Sequence, residues 1–340
     1  MKLLACIFSV CMVARCTLAS AQTSYTITDL GVISKNGYSV ARAVNATAEV
    51  SGAAGVNNSN SSQVFLYSGG TLTGLGTLGG PSGIGNGINA SGQIAGYSQN
   101  SSGTYRAFLA TNGKLADIGD LGGGSAVAYA INDLGQVVGS AVTSDGSNHP
   151  FLYSDGKMMD LGTLGAPSGT DWWNSAQSIN SAGDVVGTSY DSQGGFFGFF
   201  WSNGTMTKMG TLGGSWSQAY AVNNKGQVTG IAYLKNGSAH AFIATGGNGT
   251  LRDLGSIDGP DSTTWGFGIN DDGVVVGQST FAGTYHAFVY SNGKIKDLNK
   301  LIPSGSGWVL IDAEGINASG QIVGMGMHKG QEHGYLLTPQ

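Results

Sequence analysis

The chain has 340 residues and a formal net charge of −5, from 15 basic and 20 acidic residues. So few Lys and Arg residues on an acidic chain exclude nucleic acid and anionic membrane surfaces as expected partners. Glycine is abundant, at 59 residues, and proline is scarce, at 6, a composition that favours short strands joined by tight turns.

Residues 1–21 are predicted to form a secretory signal peptide. Lys2 precedes an apolar run from Leu3 to Ala14, and small residues follow at Ala19-Ser20-Ala21 with the spacing that signal peptidase reads. The run is too short to span a bilayer. All three cysteines lie in this segment, at Cys6, Cys11 and Cys16. We therefore expect a secreted protein, extracellular or periplasmic, without membrane insertion and stabilised by its core rather than by disulfides.

One phrase, Ile/Val-Asn-x-x-Gly-x-Val/Ile-x-Gly, recurs seven times in the rest of the chain. Its Asn lies at Asn45, Asn89, Asn132, Asn180, Asn223, Asn270 and Asn317, with successive spacings of 44, 43, 48, 43, 47 and 47 residues. A Gly follows seven positions after every Asn and three positions after six of them, with Ala48 as the exception. Asn at the first and Gly at the fourth position predict a type I turn between two strands.

Each unit continues with a third strand that carries an aromatic residue, at Phe65, Phe108, Phe151, Phe199, Phe242, Phe288 and Tyr335. A primed hairpin turn into a fourth strand is predicted at Asn112-Gly113, Asp155-Gly156, Asn203-Gly204, Asn248-Gly249 and Asn292-Gly293. The fourth strand has an Asp-Leu-Gly pattern, as at Asp160-Leu161-Gly162. No segment shows helical periodicity with caps. Four strands in roughly 45 residues is the size of a propeller blade.

The two ends of the repeat array complement each other. The segment from Tyr25 to Gly31 reads as a fourth strand without the three before it, and the segment from His333 to Leu337 reads as a third strand without its fourth. Pairing them would complete a seventh blade and remove the exposed edges of an open stack. We therefore predict an all-β, seven-bladed β-propeller of four-stranded blades over residues 22–340, closed by the N-terminal strand, and expect a monomer. A β-solenoid or another β array is the alternative.

The repeated phrases resemble those of a known family. His-Ala-Phe occurs at 240–242 and 286–288, together with Ile-Asn-x-x-Gly-x-Val-Val-Gly and with Asp-Leu-Gly-Thr-Leu-Gly from Asp160 to Gly165. This combination resembles the HAF-repeat family of bacterial extracellular repeat proteins over nearly all of the chain after the signal peptide. The family is largely uncharacterised, so the resemblance implies no catalytic residues. Three units lack the His, at Gln63-Val64-Phe65, Tyr105-Arg106-Ala107-Phe108 and Phe197-Gly198-Phe199.

Most histidines and aspartates follow the repeat. His149, His240, His286 and His333 each precede the third-strand aromatic by two positions. We therefore expect hydrogen bonds at equivalent blade edges rather than ligands that converge on a metal. His328 falls outside this register and is expected in a loop. The Asp-Leu-Gly aspartates are expected to make hydrogen bonds at strand ends, and no P-loop, zinc pattern or Gly-x-Ser-x-Gly elbow is convincing. We expect no metal, no cofactor and no catalytic residue.

Candidate binding residues lie where the units differ. The loops that enter strand one and those that join strands two and three would emerge on one face of a propeller. The predicted ligand-binding residues on this face are Trp172, Trp173, Trp216, Trp265, Trp308, Tyr190, Tyr233, Tyr285, Asp171 and Asp261. Two further aspartates of these loops, Asp258 and Asp312, also fall outside the register. Such rings suit stacking on a sugar or a peptide, and the competing interpretation is packing between loops.

Three functions stay open from the sequence. The favoured one is a non-catalytic binding or adhesion module for an extracellular glycan or protein. The second is a secreted polysaccharide lyase or glycoside hydrolase, which needs an acid–base pair or a neutralised carboxylate near the channel. After the signal peptide only three arginines are present for an anionic substrate, Arg42, Arg106 and Arg252. The third is an architectural surface protein without a defined ligand.

Overall fold

The computed structural model describes residues 24–56, 61–167 and 173–340. The predicted signal peptide lies outside these residues. The described chain is almost entirely antiparallel β-structure, arranged as six four-stranded sheets and one five-stranded sheet, and it contains a 3₁₀ helix at Leu298–Lys300. This is the seven-bladed β-propeller that the repeat predicts. Within the described ranges, no helix has the length and apolar character needed to cross a membrane.

Blades one to six each use four strands in sequence order across the sheet. Blade one contains β2 (Ser39–Val44), β3 (Val50–Gly55), β4 (Ser62–Ser68) and β5 (Thr71–Gly76), and blade two contains β6 (Gly79–Ile88), β7 (Ile94–Asn100), β8 (Tyr105–Thr111) and β9 (Lys114–Asp117). Blade three contains β10 (Gly122–Ile131), β11 (Val137–Thr143), β12 (Asn148–Ser154) and β13 (Lys157–Asp160), and blade four contains β14 (Ser175–Ile179), β15 (Val185–Tyr190), β16 (Phe196–Ser202) and β17 (Thr205–Lys208). Blade five contains β18 (Gly213–Val222), β19 (Gln227–Leu234), β20 (Ala239–Thr245) and β21 (Arg252–Asp253), and blade six contains β22 (Thr264–Ile269), β23 (Val275–Phe281), β24 (Thr284–Ser291) and β25 (Lys294–Asp297).

Blade seven is assembled from both ends of the described chain. Its strands are β26 (Trp308–Leu310), β27 (Gly315–Ile316), β28 (Ile322–His328), β29 (Gln331–Pro339) and β1 (Tyr25–Asp29). β1 runs antiparallel to β29, with Tyr25 opposite Pro339 and Asp29 opposite Tyr335. The predicted closure by the N-terminal strand is therefore confirmed. The first strand of this blade is interrupted, because β26 and β27 pair separately with β28.

The Gly seven positions after each repeat Asn lies opposite the buried aromatic of strand three. In blade three, for example, Gly139 faces Phe151 across β11 and β12. A Cβ on Gly139 would overlap the carbonyl oxygen of Val127 in strand one and press on the Phe151 ring. All seven aromatics are fully shielded from solvent, at 0% exposure: Phe65, Phe108, Phe151, Phe199, Phe242, Phe288 and Tyr335. Close strand approach and ring coverage therefore explain why this Gly recurs in every blade.

The predicted turns form with one exception. In the Asn-x-x-Gly turn of blade two, Gly92 N donates to Asn89 O at 3.0 Å. Hairpin residues with the left-handed φ of a primed turn, 49° to 52°, are Asn112, Asp155, Asn203 and Asn292. The prediction at Asn248-Gly249 is wrong, because β20 ends at Thr245 and β21 begins only at Arg252. The connection is too long for a two-residue turn, and Asn248 lacks the left-handed φ of a primed turn, whereas Gly246 has a φ of 61°.

Candidate functional site

Strand one of each blade directs one side chain toward the axis of the ring. In blades one to six the ladder between strands one and two has a bulge, such as that between Ala41 and Ala43. A bulge leaves its extra residue unpaired and re-aims the side chain. In blade seven the interruption before β27 has the same effect. The resulting axial ring, three positions before each repeat Asn, is Arg42, Asn86, Tyr129, Gln177, Tyr220, Phe267 and Glu314.

This axial ring lines a central cavity of about 550 Å³. That volume lies within the ~300–1,000 Å³ range of small-molecule sites. Two positions farther along strand one, a layer of aliphatic side chains contributes to the lining: Val44, Ile88, Ile131, Ile179, Val222, Ile269 and Ile316. The repeat asparagines follow next along the chain. The cavity is therefore lined by seven side chains that vary between blades and by an apolar layer that is similar in every blade.

The charges of the axial ring form an ion pair between the first and the last blade. Arg42 Nη1 lies 2.6 Å from Glu314 Oε1, with side-chain exposures of 36% and 18%. Burial raises the pKa of Glu314, and the Arg42 guanidinium opposes that shift. Asp312 lies two residues earlier, is buried, and accepts a hydrogen bond from Met325 N at 2.7 Å. Burial, followed by the charge of Glu314, raises the pKa of Asp312 to about 7.

The other side of the axial ring is aromatic and uncharged. The rings of Tyr220 and Phe267 meet edge to face, with centroids 5.6 Å apart. Burial raises the pKa of Tyr129 and of Tyr220, so both hydroxyls stay protonated at neutral pH. Asn86 Nδ2 donates to the carbonyl of Ala128 at 2.8 Å, which joins blades two and three at the axis. This side offers ring faces and neutral hydrogen-bonding groups.

A second cavity of about 250 Å³ lies between blades one and two and shares Arg42 and Tyr97 with the axial cavity. We call it the tyrosine groove, since Tyr38, Tyr97 and Tyr105 line it. Tyr97 and Tyr105 pack edge to face with ring centroids 5.5 Å apart, and Tyr105 is 42% exposed. The groove thus adds exposed aromatic surface beside the Arg42 side of the axial cavity.

The predicted aromatic platform is divided into separate contacts in the structure. Trp216 packs edge to face on Tyr233 at 4.5 Å and lies 6.4 Å from Phe196, which in turn contacts Tyr190 at 4.8 Å. These four rings join blades four and five at the rim. Among the described residues, no tryptophan lines the axial cavity.

The remaining predicted site residues are spread along the rim. Trp265 meets Tyr285 edge to face at 5.9 Å, and Trp308 stacks on His328 at 4.5 Å. Trp173 is 64% exposed. Asp261 accepts a 3.4 Å hydrogen bond from Asn236 in an exposed loop. Asp171 and Trp172 lie outside the described residues.

The histidines of the repeat make the predicted hydrogen bonds at blade edges. His149 Nδ1 lies 2.8 Å from Asp160, His240 Nδ1 lies 2.8 Å from Asp253, and His286 Nδ1 lies 3.0 Å from Asp297. The aspartates also accept backbone N–H groups two residues on, as Asp160 does from Gly162 at 2.7 Å. The loop placement of His328 is wrong, because this residue ends β28 and its Nδ1 lies 2.9 Å from Asp29.

The axial ring was not predicted from the sequence, because no one residue type recurs at its position in every blade. Strand one repeats small and aliphatic residues, and at one position that pattern gives way to Arg, Asn, Tyr, Gln, Tyr, Phe and Glu. That variability within a regular repeat is the signal that would have located the axis. The residues predicted from the sequence to bind a ligand lie instead in the loops, where the units also differ.

Comparison with known proteins supports the fold. No protein-family model matches the chain, and no curated protein matches it in sequence. A puromycin-hydrolyzing peptidase of Mycobacterium tuberculosis is similar with a TM-score of 0.58 and 14% identity, over 85% of this chain and 48% of the peptidase chain. An acylaminoacyl peptidase of Pyrococcus horikoshii has a TM-score of 0.53 and 13% identity, over 89% of this chain and 53% of that one. This chain thus spans about half the length of each, and identity this low establishes a common fold alone.

Proposed function

We propose that the protein is a secreted, non-catalytic binding propeller that holds a carbohydrate in the axial cavity and the adjoining tyrosine groove. One observation carries the proposal. At a single register position the residue type varies from blade to blade, and all seven side chains at this position line one cavity of about 550 Å³. In a propeller with a purely architectural role, the side chains at this position would need only to fill space, and they could be the same in every blade.

The lining chemistry favours a neutral or weakly charged sugar. Phe267, Tyr220 and Tyr129 offer ring surfaces, and Asn86 and Gln177 are axial-ring residues with amide groups. Aromatic rings pack on the apolar faces of sugars, while amides and phenols suit their hydroxyls. The one guanidinium of the axial ring is neutralised by Glu314 at 2.6 Å. A strongly anionic polymer would need an unpaired cation, which this ring does not supply.

Binding is favoured over hydrolysis because the carboxylates are poorly arranged for catalysis. Among the described residues, Glu314 is the one carboxylate that lines the axial cavity. Glycoside hydrolysis by the usual route needs two carboxyl groups that flank the scissile bond. Asp312 is near in sequence, but it is buried and bonded to Met325 N. The cavity therefore offers a single carboxylate, held by Arg42.

The proposal is tested by a glycan array followed by calorimetry on the best ligand. We expect Tyr129→Ala to weaken binding about 5- to 10-fold, the equivalent of about 1–1.5 kcal/mol for one lost aromatic contact. Trp173→Ala is the matched control, since this exposed rim ring lies outside the cavity. Loss of binding in Trp173→Ala but not in Tyr129→Ala would move the site to the rim. Failure of every glycan to bind would favour an architectural role.

A lyase or hydrolase is the second candidate, and one observation favours it. Burial raises the pKa of Glu314, which is the shift expected of a general acid, and Arg42 is the neighbouring cation. Incubation with neutral and uronic polysaccharides would release product from the native protein and not from Glu314→Gln. If no polysaccharide of the panel released product, the catalytic function would be rejected and the binding function would be the remaining proposal.

A further inference from the structure

Blade seven departs from the other blades in directing two imidazoles at one carboxylate. His333 Nδ1 lies 2.8 Å from Asp29 Oδ1, and His328 Nδ1 lies 2.9 Å from Asp29 Oδ2. In the blades that contain His149, His240 and His286, each aspartate has one histidine partner. His328 comes from the end of β28, His333 from β29 and Asp29 from β1.

The register identifies the substitution that creates this arrangement. His328 follows its repeat Asn by eleven positions, and the residue at the same position of blade six is Phe281. Phe281 stacks on His286 with ring centroids 4.6 Å apart, and His286 pairs with Asp297 at 3.0 Å. Blade six is therefore a natural comparison for blade seven, because it has an equivalent Asp–His pair and an apolar ring in place of the second imidazole.

We propose that Asp29, His328 and His333 bind a divalent transition-metal ion, with Zn²⁺ as the best fit. Among the described residues, this trio brings its three ligand atoms within 4.8 Å of one another. Tetrahedral zinc with bonds of about 2.0–2.1 Å places neighbouring ligand atoms about 3.3 Å apart. The N–O separations of 2.8 to 3.0 Å need to widen by only a few tenths of an ångström.

The surroundings hold two of the ligands in place. Gly31 N donates to Asp29 Oδ1 at 2.8 Å, which orients the carboxylate. Trp308 stacks on the His328 imidazole with a centroid distance of 4.5 Å and an interplanar angle of 10°. Groups that fix ligand orientation raise metal affinity. Two imidazoles and one carboxylate favour zinc over calcium or magnesium, and three protein ligands leave a fourth position for water or another ligand.

A metal here would join the first and last strands of the propeller. Asp29 lies on β1, whereas both histidines belong to the β28–β29 hairpin. An ion bound by all three crosslinks the closure of the ring and stabilises the folded protein by mass action. The site lies at the rim with Trp308, so it is independent of the proposed carbohydrate site.

The test is a calorimetric titration of the tag-free, EDTA-treated protein with ZnCl₂. We expect one ion per chain, a rise in melting temperature, and a change in the intrinsic tryptophan fluorescence, to which Trp308 contributes beside His328. His328→Phe copies the blade-six arrangement and keeps the Asp29–His333 pair. The zinc affinity of this variant should fall by more than about 100-fold. That loss exceeds the one expected when a residue that only hydrogen-bonds to a metal ligand is removed. Unaltered zinc binding by His328→Phe, or no binding by the native protein, would overturn the proposal.

Two further variants test whether a loss of zinc binding reflects misfolding and whether zinc binds at another site. Phe281→His places a second imidazole beside His286 and Asp297, so its stoichiometry should rise to two ions. A stoichiometry that stays at one would contradict the geometric argument. His149→Ala removes a repeat histidine in blade three and should leave zinc binding unchanged. Loss of binding in that variant would place the ion elsewhere and refute the assignment.

Discussion

Asn317 Nδ2 donates to the backbone carbonyl of Asn45 at 3.0 Å, across 272 residues of sequence. The same bond joins each repeat Asn to the carbonyl of the next, at distances of 2.8 to 3.3 Å. Seven such bonds make a closed circle around the axis. Each Asn Oδ1 also accepts two backbone N–H groups of its own turn, as Asn45 does from Thr47 and Glu49. One residue type thus serves the turn and the blade-to-blade link together.

Removing one member of this circle should cost more than removing an ordinary turn asparagine. Asn223→Ala deletes the 2.8 Å bond to the buried Asn270 O, which keeps the turn bond from Gly273 N at 2.9 Å. It also deletes the bonds from Lys225 N and Gln227 N. We expect a loss of about 2–3 kcal/mol in the free energy of unfolding, measured by urea denaturation.

Asn236→Ala is the matched control for the Asn circle. Asn236 accepts the N–H of Ser238 in an exposed turn and takes no part in the circle. We expect its substitution to cost clearly less than that of Asn223. Equal costs for the two variants would show that the blade-to-blade bond adds nothing to stability.

Ala48 occupies the fourth turn position, which is Gly in the other six units. Its φ is 63°, and the six glycines have φ between 69° and 83°. An L-residue with a Cβ is strained there by about 1–2 kcal/mol, and part of this is offset because Gly loses more entropy on folding. We expect Ala48→Gly to raise the free energy of unfolding by about 0.5–1 kcal/mol in urea denaturation.

Gly92→Ala is the reverse experiment at the same register position. A Cβ there would meet its nearest neighbour, Glu49 Oε2, at 3.4 Å, so the cost is conformational rather than steric. We expect a loss of about 1 kcal/mol. A neutral or stabilising Gly92→Ala would contradict the strain argument for Ala48.

The stability of the protein should fall with rising pH through the titration of Asp312. Burial, followed by the charge of Glu314, raises its folded-state pKa from 3.8 to about 7. The folded state therefore holds this proton more tightly than the unfolded state does. The stabilisation is complete below the unfolded-state pKa and is lost as pH rises through about 7, at up to about 1.4 kcal/mol per pH unit.

Asp312→Asn should remove this part of the pH dependence. The variant retains an Oδ1 that accepts the Met325 N–H, so the local hydrogen bond is preserved. Its stability relative to the native protein should increase between about pH 5 and about pH 8 in urea denaturation. Glu314, Arg42 and Glu332 also act on Asp312, so Glu314→Gln is measured in parallel. Identical pH profiles for Asp312→Asn and the native protein would contradict the assignment.

The sequence was sufficient for the fold because the same physical constraints act in every blade. The Gly opposite Phe151 and the Asn of the circle are each needed seven times, so the period exposes them. Hydrogen bonds of the repeat histidines and of the Asp-Leu-Gly aspartates were likewise predictable from the register, although the pairing of His149 with Asp160 was not. A periodic pattern of this kind reports what the scaffold needs.

The candidate sites could not be predicted in the same way, because their residues do not recur with the period of the repeat. Axial residues such as Tyr129 and Glu314 vary between blades, and no local pattern shows that a bulge turns them toward the axis. Asp29 and His328 lie 299 positions apart in sequence. His328 falls outside the strand-three register of the other histidines, which predicts a loop, whereas in the structure it ends strand two. The convergence of Asp29, His328 and His333 becomes visible only when the ring is closed.

Closure by β1 can be tested by deleting Ser24 to Gly31 from a chain that begins at residue 22. The deletion removes the five residue pairs with β29 and the buried side chains of Tyr25 and Leu30. Loss of these two side chains alone should cost about 3–6 kcal/mol in the free energy of unfolding. A synthetic peptide of residues 24–31 should restore part of the melting temperature by adding back as a strand. A Leu30→Asp peptide should rescue less, because its side chain cannot enter the core. Melting that is unchanged by the deletion would mean that the ring is stable without its N-terminal strand.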